Sequence, residues 1–230
     1  MVQKRWAAVS QRLVLRSVDL SKSEKGPKEF VECCDAEKEL IFFLAHELRL
    51  TLVDGDIENF NKSQDFFDHC LPRFKNLDVL KLVSGSLDTF LNIDKVFEPH
   101  KTTIKTLILS NCDATIDGLV TFVNHFTGLK HLALMDVKIT QSGSTRLQSE
   151  QLKSLQKLTI GGSLFPERLS NQDAFLNALS HGWKHITILG LDISMHIPSF
   201  IDMATEVEVL DLQYWFGMYR DRSTILSQGC

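Results

Sequence analysis

The sequence predicts an α/β fold, an irregular solenoid with parallel strands on a concave face, helices outside and a helix at the N-terminus. Three observations predict it. A short apolar pattern recurs along the chain at near-even spacing, and helical apolar patterns lie between its copies. The composition, 230 residues of which 43% are apolar and 23% charged, suits one large packed domain or two small ones and argues against wholesale disorder.

The recurring pattern is L-x-x-L-x-L, with Ile, Val or Ala allowed at the apolar positions. It fits Leu15, Val18 and Leu20; Ala45, Leu48 and Leu50; Leu77, Leu80 and Leu82; and Ile104, Leu107 and Leu109. It fits again at Leu129, Leu132 and Leu134; Leu155, Leu158 and Ile160; Ile186, Leu189 and Leu191; and Val207, Leu210 and Leu212. Successive starts are 30, 32, 27, 25, 26, 31 and 21 residues apart, around the long end of the roughly 20–29 residues of a leucine-rich repeat. Side chains alternate along a strand, so the fourth and sixth positions enter a core while the third, fifth and seventh face away from it. One such unit cannot bury its own apolar face, whereas stacked neighbours bury it for each other. A doubly wound α/β domain is the alternative, since buried strands also read as short apolar runs. Its phosphate-binding turn would need more glycines than Gly161-Gly162 supplies.

The elements follow in order. Trp6, Val9 and Leu13 share a helical face and lead into the first strand, so residues 1–21 read as an N-terminal cap and first strand. Residues 22–44 read as a charged linker or loop containing Gly26-Pro27, with a short helix through Phe30 and Val31. Residues 45–215 form the repeat region and 216–230 a tail. Within the repeats, Asp54 to Glu58 reads as a turn with Gly55 supplying a positive φ. Phe60, Phe66, Phe67, Cys70 and Leu71 fall on one helical face, as do Leu119, Phe122, Val123 and Phe126 after Asp117-Gly118. Further helices are expected around Phe175, Leu176 and Leu179, and after Pro198 through Phe200, Ile201 and Met203.

Several functions are disfavoured. Twenty-five basic against 29 acidic residues give a net charge of −4, which is no footprint for nucleic acid or an anionic membrane. There is no apolar run long enough to span a bilayer. Five cysteines, two of them the adjacent Cys33 and Cys34, form no disulfide framework, and reduced thiols suit a cytoplasmic or nuclear address. His181 and His185 are four apart but flank Gly182 and Trp183 at an expected helix end, with no second pair at metal spacing. No nucleophile elbow, phosphate loop or cofactor fingerprint occurs, so the expectation is a non-enzymatic protein with no cofactor.

The outward positions then define the candidate site. The third positions read Ser17, Glu47, Val79, Thr106, His131, Lys157, Ile188 and Val209; the fifth, Asp19, Arg49, Lys81, Ile108, Ala133, Thr159, Gly190 and Asp211. The seventh read Ser21, Thr51, Val83, Ser110, Met135, Gly161, Asp192 and Gln213. Val79, Val83, Ile108 and Met135 make an apolar centre between charged ends, the pattern of a protein-binding surface. The residues expected to touch a partner are Lys81, Val83, Thr106, Ile108, Ser110, His131, Met135, Lys157 and Thr159. A pleat shifted by one residue would instead turn some of them into core.

Segment 104–139, IKTLILSNCDATIDGLVTFVNHFTGLKHLALMDVKI, resembles the leucine-rich region of F-box proteins, especially the divergent F-box families of mushroom-forming fungi. Cys112 stands at the ninth repeat position, where these repeats carry Asn or Cys, and the resemblance gives it a structural role in the turn after the strand. Lys4-Arg5-Trp6-Ala7-Ala8-Val9 resembles the last helix of an F-box, which implies that Lys4, Arg5, Trp6 and Val9 face an adaptor. Most of the F-box is then expected to be missing ahead of this helix, because the Leu-Pro pair that opens the family's motif occurs only at Leu71-Pro72, inside a repeat. A fragment or a shortened gene product is the matching expectation. The resemblance implies a substrate-recognition subunit of a cullin-type ubiquitin ligase, with a protein substrate, a Skp-type adaptor and a cullin as partners. A free-standing leucine-rich binding protein with no ligase link is the other expectation.

Overall fold

The computed structural model describes residues 16–21, 27, 30–31, 39–51, 66–89, 93–140, 155–161, 185–189, 209–213 and 222–225. The strands are β1 (Ser17–Asp19), β2 (Glu47–Thr51), β3 (Val79–Ser86), β4 (Thr106–Thr115) and β5 (His131–Met135), followed by β6 (Lys138–Thr140), β7 (Lys157–Gly161), β8 (His185–Leu189), β9 (Val209–Gln213) and β10 (Arg222–Ile225). Among the described residues they are accompanied by the α-helical stretches α1 (Glu39–Leu44), α2 (Ile93–Val96) and α3 (Ile116–His125), and by shorter helical turns at Phe66–Cys70, Leu71–Arg73, Leu87–Thr89 and Glu98–His100.

The fold is α/β with a mostly parallel sheet. All eight apolar motifs meet strands, and the sheet takes them in chain order, β1-β2-β3-β4-β5-β7-β8-β9, each parallel to the last. Among the described strands only β10 runs antiparallel, against β9, and β6 pairs with the far half of β4. A doubly wound sheet reverses its strand order at a switch point; this order never reverses from β1 to β9.

Register places equivalent residues side by side. Leu48, Leu80, Leu107, Leu132 and Leu158 align across neighbouring strands, as do Leu50, Leu82, Leu109, Leu134 and Ile160, and all ten are buried. These two rows form the sheet's contribution to the core. Burial of each leucine is worth about 1.5–3 kcal/mol, so the repeated register is a large share of what holds adjacent strands together.

The helical side of the core is aromatic. Phe42, Phe74 and Phe126 each stand three residues before the first apolar residue of a motif (Ala45, Leu77 and Leu129), and each is buried. Phe42 meets Phe74 edge-on with centroids 4.9 Å apart, and Phe97, Phe122 and Phe126 form a second set with centroids 5.5–6.2 Å apart. In the intervening repeat Lys101 takes the place three before Ile104, and His100 and Phe97 fill the core instead. His100 Nε2 lies 2.8 Å from the Leu71 carbonyl oxygen; a carbonyl only accepts, so Nε2 carries the hydrogen. Burial lowers the His100 pKa, against the upward pull of that bond.

Each central strand bends at one place. Ser84, Asn111 and Asp136 have φ of 59°, 54° and 52°, and each is the eighth residue of its motif. Short polar side chains tolerate this left-handed conformation better than branched ones. Beyond the bend the chains pair again, Ser86 with Asp113 and Asp113 with Lys138, so a second short ladder runs beside the first. Cys112 lies at the base of this ladder, fully buried, with Sγ 3.4 Å from the Ser110 oxygen and 3.7 Å from the Leu82 oxygen. It is a packed, reduced thiol directed at backbone oxygens.

Four expectations are corrected. Position by position, β8 is displaced by three residues from the motif read at Ile186, Leu189 and Leu191: His185, Thr187 and Leu189 align with Lys157, Thr159 and Gly161. An odd shift exchanges the two faces of a strand, so Ile188 belongs to the row of Ile160, and Gly190 and Asp192 lie outside the described residues. The corrected steps, Lys157 to His185 to Val209, are 28 and 24 residues, more even than 31 and 21. His185 also begins a strand rather than ending a helix, which leaves it in an extended backbone unlike the i, i+4 face of a helical ligand pair. The helix expected through Phe66, Phe67, Cys70 and Leu71 is a π-helical turn followed by a 3-10 turn. Pro72, lacking an N–H, sits in the first positions of that 3-10 turn and breaks a continuous α-helical ladder. Finally, residues 39–44 of the expected linker form α1, and Phe42 is only 2% exposed; Phe30 and Val31 pack on the same core. The expected elements around Trp6, Asp54–Glu58, Phe60, Phe175 and Pro198 lie outside the described residues.

Candidate functional site

The candidate site is the sheet face opposite the leucine rows. Along β2, β3 and β4 buried and half-buried residues alternate, the signature of a sheet packed on one side only. The pleat therefore has the phase expected from the motif in these strands: Leu107 and Leu109 are buried while Thr106, Ile108 and Ser110 are half-buried.

All nine residues expected to touch a partner lie on this face, on four adjacent strands. Thr106, His131 and Lys157 stand side by side with Val79; Lys81 and Ile108 share a row with Ala133 and Thr159; Val83, Ser110 and Met135 form the third row with Gly161. All nine are half-buried, whereas Ala133 is buried among them. The positions expected to face an adaptor, Lys4, Arg5, Trp6 and Val9, lie outside the described residues.

Charge is distributed unevenly over the face. On β1 and β2, Asp19 and Arg49 pair at 3.7 Å, and Asp19 also accepts from the Ser21 amide and hydroxyl at 3.0 and 2.6 Å. In the three rows of β3, β4, β5 and β7 the outward positions carry two lysines, Lys81 and Lys157, and no carboxylate, while beyond the bend Asp113 of β4 is paired in register with Lys138 of β6. Between the lysines lie Ile108, Ala133 and Met135, with hydroxyls of Thr106, Ser110 and Thr159 around them.

His131 is the titratable group of this area. Its Nε2 is 3.0 Å from the Thr159 hydroxyl. Burial, with a smaller push from the Lys157 charge, lowers its pKa to about 4. A hydroxyl beside an imidazole is the spacing of a nucleophile and its base, but an imidazole with so low a pKa is a weak base.

Size constrains what the face can bind. With strands about 4.8 Å apart and three outward rows about 6.6 Å apart, the face from β1 to β9 projects to roughly 34 by 13 Å, about 440 Å². A standard protein interface uses about 800 Å² per partner, so the face accommodates an extended segment outright, and a folded partner would also have to reach the strand ends.

Two structural devices beside the face escaped the reading from sequence. One is the aromatic position three residues ahead of the motif, visible in retrospect as Phe42, Phe74 and Phe126. The other is the link from Asp88 to Thr115 at the start of α3, where Thr115 Oγ1 accepts from the Gly118 amide at 3.0 Å; Thr115 is a recognisable N-cap residue, but its partner 27 residues upstream carries no local signal. Among the described residues there is no cluster of three His, Cys, Asp or Glu side chains placed to hold a metal ion, and no helix is long and apolar enough to cross a membrane. In comparisons with known proteins, no family profile and no characterised protein matches the sequence.

Proposed function

We propose that this chain is a leucine-rich-repeat solenoid that binds a protein target on its open, concave sheet face, as the non-enzymatic substrate-recognition arm of an F-box subunit in a cullin-type ubiquitin ligase. The observation that carries the binding role is the register: equivalent residues of successive motifs stand side by side, presenting Lys81, Ile108, Thr159 and their neighbours as one surface. Repeat architectures use such extended surfaces for recognition. The chain order of the strands and the repeated bends at Ser84, Asn111 and Asp136 support the solenoid. The ligase link rests on the resemblance of segment 104–139 and of the stretch around Trp6 to F-box proteins.

Co-purification from the native host tests both parts. The target is expected to be retained by the wild-type chain and lost with Ile108→Asp, while a Skp-type adaptor is retained by both and lost with Trp6→Ala. Retention of the target without any adaptor removes the ligase link and leaves a free-standing binding protein. Equal retention of the target by Ile108→Asp removes the face from the account.

A further inference from the structure

The central part of the face differs in charge from the protein as a whole. The chain is net acidic at −4, yet the three outward rows of β3, β4, β5 and β7 ahead of the bend hold Lys81 and Lys157 with no Asp or Glu; beyond the bend the exposed Asp113 of β4 stands beside Lys138 of β6. Among the described residues of the three rows, the acidic ones stand outside β3–β7, Asp19 and Glu47 on β1 and β2 and Asp211 on β9, and Asp19 is matched by Arg49 at 3.7 Å. His131, held neutral by burial, adds no positive charge of its own beside Lys157.

The two lysines are placed to bracket an apolar strip. Lys81 is on β3 and Lys157 on β7, three strand spacings apart and offset by two residues along the strands, a separation of about 16 Å between their backbone positions. Ile108 and Ala133 fill the row of Lys81 between them, with Met135 one row further on. An extended chain advances about 3.3 Å per residue, so roughly 16 Å corresponds to about five residues.

We infer that β3–β7 receives an extended acidic segment of the partner protein, with two carboxylates four to six residues apart that reach Lys81 and Lys157 and apolar side chains between them on Ile108 and Met135. The inference rests on the binding role proposed for this face and adds the chemistry of what it binds. Charge complementarity selects the segment, and the apolar strip holds it once water is excluded.

Fluorescence anisotropy with the full chain tests it. The probes are fluorescein-labelled ten-residue peptides with leucines between two glutamates five positions apart, and the same peptide with the glutamates replaced by lysines. The glutamate peptide is expected to bind about tenfold tighter than the lysine peptide, with the difference shrinking at high salt. The joint substitution Lys81→Glu and Lys157→Glu is expected to reverse the preference; both sites are partly solvated, so the variant should keep the wild-type thermal transition. Equal binding of both peptides, abolished by Ile108→Asp, overturns the charge selection and leaves the face as a protein-binding surface. Absence of binding by either peptide overturns the inference too, while target retention in co-purification decides the binding role separately.

Discussion

Asp88 holds Thr115 twice across 27 residues of chain: one carboxylate oxygen accepts from the Thr115 amide at 2.9 Å and the other from its hydroxyl at 2.6 Å. Thr115 in turn caps α3, so one repeat's turn fixes where the next repeat's helix begins. Gly118 makes room for this arrangement, because a Cβ there would collide with the Asp88 carboxylate and press on the Thr115 hydroxyl.

A double-mutant cycle reads that relationship. Asp88→Ala is expected to lower stability by about 1 kcal/mol, in line with other lost caps and charge-assisted bonds. Gly118→Ala alone destabilises despite alanine's preference for helices, since it displaces Asp88. With Asp88→Ala already present, the same change becomes neutral or stabilising by up to about 1 kcal/mol. Chemical denaturation of the four proteins checks it; additive effects would mean that Gly118 and Asp88 do not meet.

Adjacent residues on β4 separate the two faces of the sheet. Leu109 is fully buried and its neighbour Ile108 only half-buried. Leu109→Ala is expected to cost about 2–5 kcal/mol, whereas Ile108→Asp leaves the thermal transition close to wild type. Collapse of that transition in Ile108→Asp would place Ile108 in the core.

His131 gives the face a dependence on pH. Its folded pKa of about 4 lies below the ordinary 6.5, so between these values the unfolded chain binds the proton that the folded chain refuses. Stability contributed by the neutral ring is full above pH 6.5 and falls as pH drops towards 4. His131→Gln removes this slope while His100, buried with a lowered pKa of its own, remains in both proteins. Urea midpoints measured between pH 7 and pH 4 are therefore expected to fall more steeply for the wild type than for His131→Gln.

How much was legible in the sequence depends on the range of the interaction. The strands were legible because their leucines recur at a period that local pattern captures, and the outward rows followed from the two-residue pleat. Ile188 was misassigned because in Ile186–Leu191 apolar residues stand at both odd and even steps, so only pairing with Lys157–Gly161 fixes which face each takes. The turn at Phe66–Arg73 hid behind helical spacing that Pro72 interrupts. Of the candidate site, the identity of the nine face residues was legible, whereas the depressed His131 pKa and the Asp88–Thr115 link were not, since both depend on neighbours 26 or more residues away along the chain.

The most direct test of the binding face is site-specific photo-crosslinking in the native host. A benzophenone amino acid is placed at Ile108 on the open face and, in a separate protein, at Thr121, an exposed position of α3 on the helical side. One discrete protein adduct is expected from position 108, reproduced from position 159, and none from 121. The same adduct from 121, or none from 108 and 159 in a chain that folds normally, would contradict it.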